Sequence, residues 1–399
     1  MLLFDMMNVS LPTAKIMNIL FVAVSNNPFE ATQGSSQRSN LLLTACTQIA
    51  QVDVISFCTD NEKYCINYNI IHQEVYRNTN REGRFSKFRK LLTPWNPNSV
   101  YTIDSHKEVI IDNAVEAKKY DYIVIRYIPH AIECGIWKYA NRLIIDIDDN
   151  PIDRAINDAQ NAKSLRNKLY LKIYANILKC MVHRIVDKIC LAFVCNPKDK
   201  INKNNVFLPN VPFYTIDKKV EHTMLKKRII FVGDLNYWIN QKGISLFLEN
   251  IYTQVLRSIP DIEMHIVGRI ADNKLKKKWE SYKGVVVTGF VENLIDEYDN
   301  ASVAVIPIYH GAGTCIKVLE AMQMRKICIT TPIGFRGYDN VFKPNEDCFV
   351  ATTDEQFVEF IITSICNEQL HNKITQSAFD KQQKFYTKER FYQIVKESL

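Results

Sequence analysis

The stretch GlyAlaGlyThrCysIleLysValLeuGluAlaMet at 311–322 gathers residues whose types and spacing suit one kind of chemistry. Gly311, Ala312, Gly313, Thr314 and Cys315 are small and uncharged; Lys317 follows, and Glu320 stands three residues beyond it. A small-residue loop entering a helix presents backbone N–H groups that lack intrahelical partners, at the positive end of the helix dipole. Such an end attracts an anion, phosphate above all. Lys317 adds a full positive charge, and Glu320, at i+3 on a nearby face, can accept hydrogen bonds from hydroxyls such as those of a ribose. An ordinary strand-to-helix turn with a surface Lys–Glu pair has the same spacing, so the residues alone leave both readings open.

The flanking elements must hold that loop in place. Residues 302–307, SerValAlaValIlePro, form a β-branched run closed by proline, which predicts a buried strand. Residues 314–324 have helical spacing and 326–330 read as the next strand. Earlier, AsnIleLeuPheValAlaVal (18–24) is a strand, followed by a long polar loop, a helix from about Arg38 to Ala50 and a strand at 52–57. That opening is a βαβ unit. Its loop is long and holds one glycine, Gly34, where a dinucleotide site would carry GxGxxG, which argues against an NAD or FAD enzyme. Further strands read at 120–126, at 142–151 (running into three aspartates), at 188–194 and at 205–208. A second βα series starts at 228–233 and continues through strands at 262–267 and 284–288 and helices near 354–366, 371–385 and 388–399.

Segment 311–322 resembles the donor-binding segment of GT-B fold glycosyltransferases of family 4 (group 1), in a subgroup with the pattern Gly-x-Gly-Thr-x-x-Lys-x-x-Glu-Ala-Met. ValThrGlyPheVal (287–291), the run 296–307, PheValGlyAspLeu (231–235) and LeuProAsnVal (208–211) are similar to the family's flanking motifs. The likeness spans about residues 18–395, with its firmest motifs in 205–335. It implies an α/β fold of two Rossmann-like domains facing each other across a cleft. The boundaries expected are 1–212 on the acceptor side, 213–385 on the nucleotide-sugar side, and a helix at 386–399 crossing back to the first domain.

The same resemblance implies roles for particular residues. Lys317 and a second cation would stabilise the departing diphosphate; Lys242 is the first candidate and Arg269 the second. Glu320 would bind the donor ribose, with Asn240 and the loop 311–315 around the donor. Gly34 and Ser35 match the family's Gly-Gly loop facing the donor phosphates, with serine at the usual second glycine. Arg38 and Arg126 are placed on the acceptor side. The chain departs from the family at Asp234, where an arginine is common, and at Ala312, where a glutamate contacts the sugar. Asp146, Asp148 and Asp149 read three ways: a cleft role for Asp148 or Asp149 toward acceptor or sugar, an Asp-x-Asp metal site, or capping. The family does not depend on such a metal. Retention, no essential metal and no cofactor beyond the nucleotide sugar are the expectations, with a glycan or lipid-linked acceptor. The alternatives are a nucleotide-sugar epimerase or phosphorylase of the same fold and a non-catalytic anion-binding protein.

Composition narrows the class. The 399 residues are 47% hydrophobic and 23% charged, as in a globular protein of two domains. No apolar run approaches the roughly 20 residues of a membrane span. Residues 1–17 contain Asp5 and Pro12 and lack a basic leader, so no signal peptide is read, and Met17 is a candidate start. Eleven cysteines without a CxxC pair suit reduced thiols in a cytoplasmic protein.

The net charge of +7 is uneven. Residues 151–203 hold 11 Lys/Arg against 4 Asp/Glu, and residues 77–90 hold 6 against 1. These basic segments suggest an anionic partner, with peripheral contact to an anionic membrane through 77–90 and 163–188 at the inner face of the cell membrane. Nucleic acid is not expected, because no basic–aromatic fold motif is present. The helix at 163–190 repeats Leu165, Leu169, Ile173, Ile177, Met181 and Ile185 every four residues, and this stripe reads first as core.

Overall fold

The computed structural model describes residues 16–30, 34–59, 67–76, 101–148, 150–160, 162, 164–200, 202–212, 225–311 and 313–399. Asp149, Ala312, Lys163, residues 1–15 and the basic segment 77–90 lie outside the described residues.

Two parallel sheets organise the chain. The first holds β1 (Asn18–Ala23), β2 (Gln51–Ser56), β3 (Asn69–Gln73), β4 (Tyr122–Arg126), β5 (Leu143–Ile147), β6 (Leu191–Val194) and β7 (Asn205–Phe207) in the order β3-β2-β1-β4-β5-β6-β7. The second holds β8 (Arg228–Val232), β9 (Glu263–Val267), β10 (Val285–Gly289), β11 (Val303–Ile306), β12 (Ile327–Thr330) and β13 (Phe349–Val350) in the order β10-β9-β8-β11-β12-β13. Strands covered by helices on both faces read as continuous apolar runs, and β5, β6, β11 and β12 are buried at every position. The sequence's two Rossmann-like domains are therefore present. In each sheet the strand order reverses once, between β1 and β4 and between β8 and β11, and ligands of such sheets bind beyond the strands' carboxyl ends at that point.

The helices used below are α1 (Gly34–Thr47), α2 (Pro151–Gln160), α3 (Leu165–Val186), α4 (Trp238–Leu246), α5 (Ile316–Gln323) and α6 (Lys388–Ser398). Helix α1 starts at Gly34, one turn before the residue the sequence suggests, because the small polar residues 34–36 continue the helix rather than the loop. Helix α6 returns to the first domain, where Phe391 and Val395 join Leu41, Leu42, Phe193 and Leu208 in one core.

Helix α3 corrects the reading of its stripe. Ile177, Met181 and Ile185 are buried, but Leu165, Leu169 and Ile173 are 89%, 62% and 43% exposed. The stripe is core only in its second half, where it packs in the first domain's interior with Ile145 and Ala192.

A charged network sits at the carboxyl ends of the central strands of the first sheet. Asp146, fully buried at the end of β5, accepts from Arg38 Nε at 2.8 Å, Arg38 Nη2 at 2.7 Å and Arg126 Nε at 2.9 Å. Arg126 Nη2 continues to Asp148 at 2.6 Å. The remaining donors of Arg38 reach the carbonyls of Leu208 and Pro209 and the side chain of Asn210. Burial alone would raise the Asp146 carboxyl, but the two guanidiniums outweigh it and hold it below the usual carboxylate range. Burial works against the Arg38 charge too, and Asp146 and Asp148 overcome it.

Removing one partner of such a buried set leaves uncompensated charge, at a cost of about 3–5 kcal/mol. Asp146→Ala is therefore expected to lower stability by about that amount at neutral pH, measured by urea unfolding. A carboxyl depressed by folding stabilises above its unfolded value of about 3.9 and ceases to do so as pH falls through the folded value. The difference between wild type and variant should thus persist from pH 8 to about 4 and shrink below. A constant difference down to strong acid would contradict the ionic account.

Candidate active site

The loop 307–315 leaves β11 at the switch point of the second sheet and enters α5. Gly313 has φ +69°, a conformation that L side chains rarely adopt and glycine takes freely. Cys315 occupies the cap position of α5 and makes no side-chain hydrogen bond to it, so the first-turn N–H groups have no side-chain cap. This start lies in the wall of a cleft of about 810 Å³, together with Gly311, Gly313, Thr314, Lys317 and Asn240.

Lys317 is half-buried and lies over the Phe231 ring at 5.9 Å. Gly233, at the end of β8, makes room for it: a Cβ there would stand 2.6 Å from Lys317 Cε and 3.1 Å from Asn240 Nδ2. Asn240 is buried, and its amide donates to the Asp234 carbonyl at 2.7 Å. The acidic residue in place of the family's common arginine thus contributes its backbone to the cleft wall through Asn240.

The second cation differs from the sequence reading. Arg269 is exposed, lies 4.8 Å over the Phe290 ring and is not part of the cleft wall. Lys242 acts through a neighbour: its Nζ is 2.9 Å from Nε2 of His310, a cleft-lining residue. Burial first, then the Lys242 charge, push the imidazole below its ordinary value, so the ammonium donates to a neutral ring. Glu320 lies one turn into α5 and is not among the cleft-lining residues.

A second cavity, of about 500 Å³, opens at the switch point of the first sheet. Ser25, Asn26, Ser35, Tyr127 and His130 line it, with Tyr174 from α3. Ser35 therefore faces this cavity, while Gly34 begins α1 and lines neither space. Tyr127 has φ +67°, strained for a bulky residue, and its ring lies 4.8 Å under the Arg126 guanidinium. Burial, the largest influence on His130, lowers its pKa, and its Nδ1 lies 3.1 Å from the Arg126 carbonyl. As the donor to that carbonyl, the neutral ring keeps Nε2 as an acceptor.

Arg38 and Arg126, expected on the acceptor side, are buried in the network with Asp146, which corrects that reading for both. Their donors meet protein oxygens, those of Arg126 reaching Ser39 Oγ at 2.8 Å and Asp148. Asp148 is part of the same network and partly exposed, just beyond the end of β5, and lines neither cavity. Two guanidiniums around Asp146 oppose a cation there, against the Asp-x-Asp metal reading. Among the described residues no three His, Cys, Asp or Glu side chains are grouped to hold a metal.

The two cavities share Arg154, Asp158 and Leu171 as walls, so they form one cleft with an arm against each domain. Contacts between the domains close its sides. Asn157 Nδ2 donates to the Gly311 carbonyl at 2.8 Å, and Asn210 Nδ2 lies 2.9 Å from Thr314 Oγ1. Arg336 joins Asp153 of α2 at 3.2 Å to the Gly313 carbonyl at 3.1 Å. Sequence reasoning missed Arg154, Asn157 and Arg336. The one signal was the basic excess of 151–203, and it does not say which residues face the cleft.

Comparison with known proteins agrees with this geometry. Residues 226–367 match the family model described as glycosyl transferases group 1. An uncharacterised 44.6 kDa protein in the cps region of Klebsiella pneumoniae is 25% identical over 296 residues, 70% of this chain and 75% of that protein. Among solved structures, sucrose-phosphate synthase of Thermosynechococcus elongatus matches with a TM-score of 0.65 at 12% identity, over 96% of this chain and 98% of that one. WaaG, a glycosyltransferase involved in lipopolysaccharide biosynthesis, matches with 0.62 at 14% identity, over 94% and 99%. HepE of Anabaena, solved with UDP and glucose, matches with 0.60 at 12% identity, over 96% and 99%. The group 1 match lies across the second sheet, and the two-domain fold of these solved structures is shared along nearly the whole length of this chain.

Proposed function

We propose that the protein moves a sugar from a nucleotide-diphosphate sugar to a glycan or lipid-linked acceptor, with retention and without an essential metal or other cofactor. The work belongs to the building of a cell-surface polysaccharide or glycolipid on the cytoplasmic side. The observation that carries the donor half is the uncapped start of α5 in the wall of the cleft, with Lys317 beside it. Negative charge grows on the leaving diphosphate in the transition state, and fixed N–H groups and an ammonium favour that state over the bound substrate. Gly233 leaves the room in which the lysine lies, and Glu320 is assigned to the ribose. Lys242 supports the site through His310 rather than by direct contact. HepE's complex with UDP and glucose makes uridine sugars the first donors to test.

The acceptor is assigned to the arm lined by Tyr127 and His130, where Nε2 of the neutral imidazole can accept from a sugar hydroxyl. Arg154 and Asp158, at the junction of the two arms, are placed to orient the groups that react. The Klebsiella relative from a cps region supports polysaccharide assembly as the setting.

Calorimetry with UDP, GDP, ADP and CDP sugars in EDTA tests the donor half. One base is expected to bind with EDTA present, and Lys317→Ala to weaken it by about 10- to 100-fold, the range for hydrogen bonds to a charged group. Binding to none, or binding abolished by EDTA, would overturn the reading. Product analysis without an acceptor separates transfer from epimerisation.

Gly233→Ala tests the lysine's placement. Its Cβ forces Lys317 aside, so donor affinity should fall toward that of Lys317→Ala while the melting temperature holds. Unchanged affinity would show that the lysine's position there is immaterial.

A further inference from the structure

The larger cavity has two unlike walls. On the second domain's side stand Tyr237 and Trp238, 49% and 52% exposed, with Ile333 open beside them. The Trp238 ring meets His310, with centroids 5.7 Å apart and planes 36° from parallel. Burial and the Lys242 charge keep that imidazole neutral, so this edge of the patch is aromatic rather than charged. The first domain's side is polar, with Asn157 and Asp158 of α2 and Ser164 and Asn167 at the start of α3.

The aromatic pair is held rigidly. Tyr237 is the cap residue of α4 and Trp238 its first residue, and the turn before them is tied at several points. Asn236 donates its backbone N–H and its side-chain amide to Asp234 Oδ1 at 3.0 and 3.2 Å. The Ala271 N–H donates to Asn236 Oδ1 at 2.7 Å, and Gln241 Nε2 to the Leu235 carbonyl at 2.9 Å. Leu235 and Ile239, on either side, are buried. Large rings left wet forgo the gain of burial, and rings already fixed in place lose little freedom when a ligand covers them.

We propose that Trp238, with Tyr237 beside it, is a stacking platform for a sugar ring. A pyranose has an apolar face of C–H groups and a rim of hydroxyls. The aromatic wall suits the face, and the amides, hydroxyl and carboxylate opposite suit the rim. Here the inference rests on the glycosyltransferase reading. Glu320, assigned to the ribose, is not among the cleft-lining residues, which sets the nucleoside beside α5 and leaves the cleft to sugars. The stacked ring is the transferred sugar or the acceptor sugar that receives it, and the two must meet in this cleft to react.

Two measurements on wild type, Trp238→Ala and Trp238→Phe test this. The first is calorimetry with UDP and UDP-glucose, or the matching pair for whichever base wild type selects. The second is saturation-transfer NMR of methyl glucosides, galactosides and mannosides on the UDP-loaded protein. Trp238→Ala should weaken UDP-glucose by about ten-fold while UDP affinity holds, if the ring is the transferred sugar. If it is the acceptor's, both affinities hold and the glycoside signal is lost. In either case Trp238→Phe should retain most of the binding, and the melting temperature should match wild type because the residue is exposed. Equal weakening of UDP and UDP-glucose would make the platform a nucleobase site and overturn the proposal. Unchanged affinities together with an unchanged glycoside signal would overturn it too. A wild type that binds no nucleotide, yet shows a glycoside signal that Trp238→Ala abolishes, would sink the glycosyltransferase reading and keep the sugar platform.

Discussion

Asp146 between Arg38 and Arg126 is the constraint on which the rest of the molecule depends. The carboxylate lies at the end of β5, one guanidinium comes from α1, and the other from the end of β4. Neither charge is tolerable in the core alone, so the three elements must arrive together or not at all. Arg38 extends the constraint to 208–210, the stretch that leads out of the first domain. Asn210 passes it on to Thr314 in the donor loop. A network that sequence reading placed in contact with substrate instead sets the angle of the wall that substrate meets.

The cleft follows from sheet topology. Both sheets reverse their strand order once, and the two cavities open at those reversals. Facing the domains toward each other brings the two openings together over α2, whose Arg154 and Asp158 belong to both. The helix also carries Asn157 and Asp153, which hold the donor loop directly and through Arg336. One helix therefore borders both arms.

What could be read from the sequence was what depends on neighbours in the chain. The strand at 302–307, the small-residue loop and the helix with Lys317 are local patterns, and they appear where the residues put them. The parallel sheets were legible from their apolar runs. Long-range partners were not. Nothing near Arg38 says that its carboxylate lies 108 residues away, and an arginine after a polar loop reads as a surface group. Lys242 stands next to Gly243 as a phosphate ligand would, yet its partner is His310, 68 residues on. The stripe of α3 has one period from end to end, and periodicity cannot show that the core covers only half of it.

Helix α6 has a consequence for how the molecule is made. Phe391 packs with Leu42 and lies under the Arg38 guanidinium, its ring centre 5.7 Å away. The first domain's core is thus closed by residues that leave the ribosome after the entire second domain. Until then α1 has an uncovered apolar side, and the charges around Asp146 sit beneath an incomplete roof. The second domain, whose sheet is contiguous in the chain, can fold as it emerges; the first domain must wait for α6. Docking of α6 therefore fastens the two halves into one body, and a nascent chain stalled short of residue 391 lacks the side chain that closes the first domain's core.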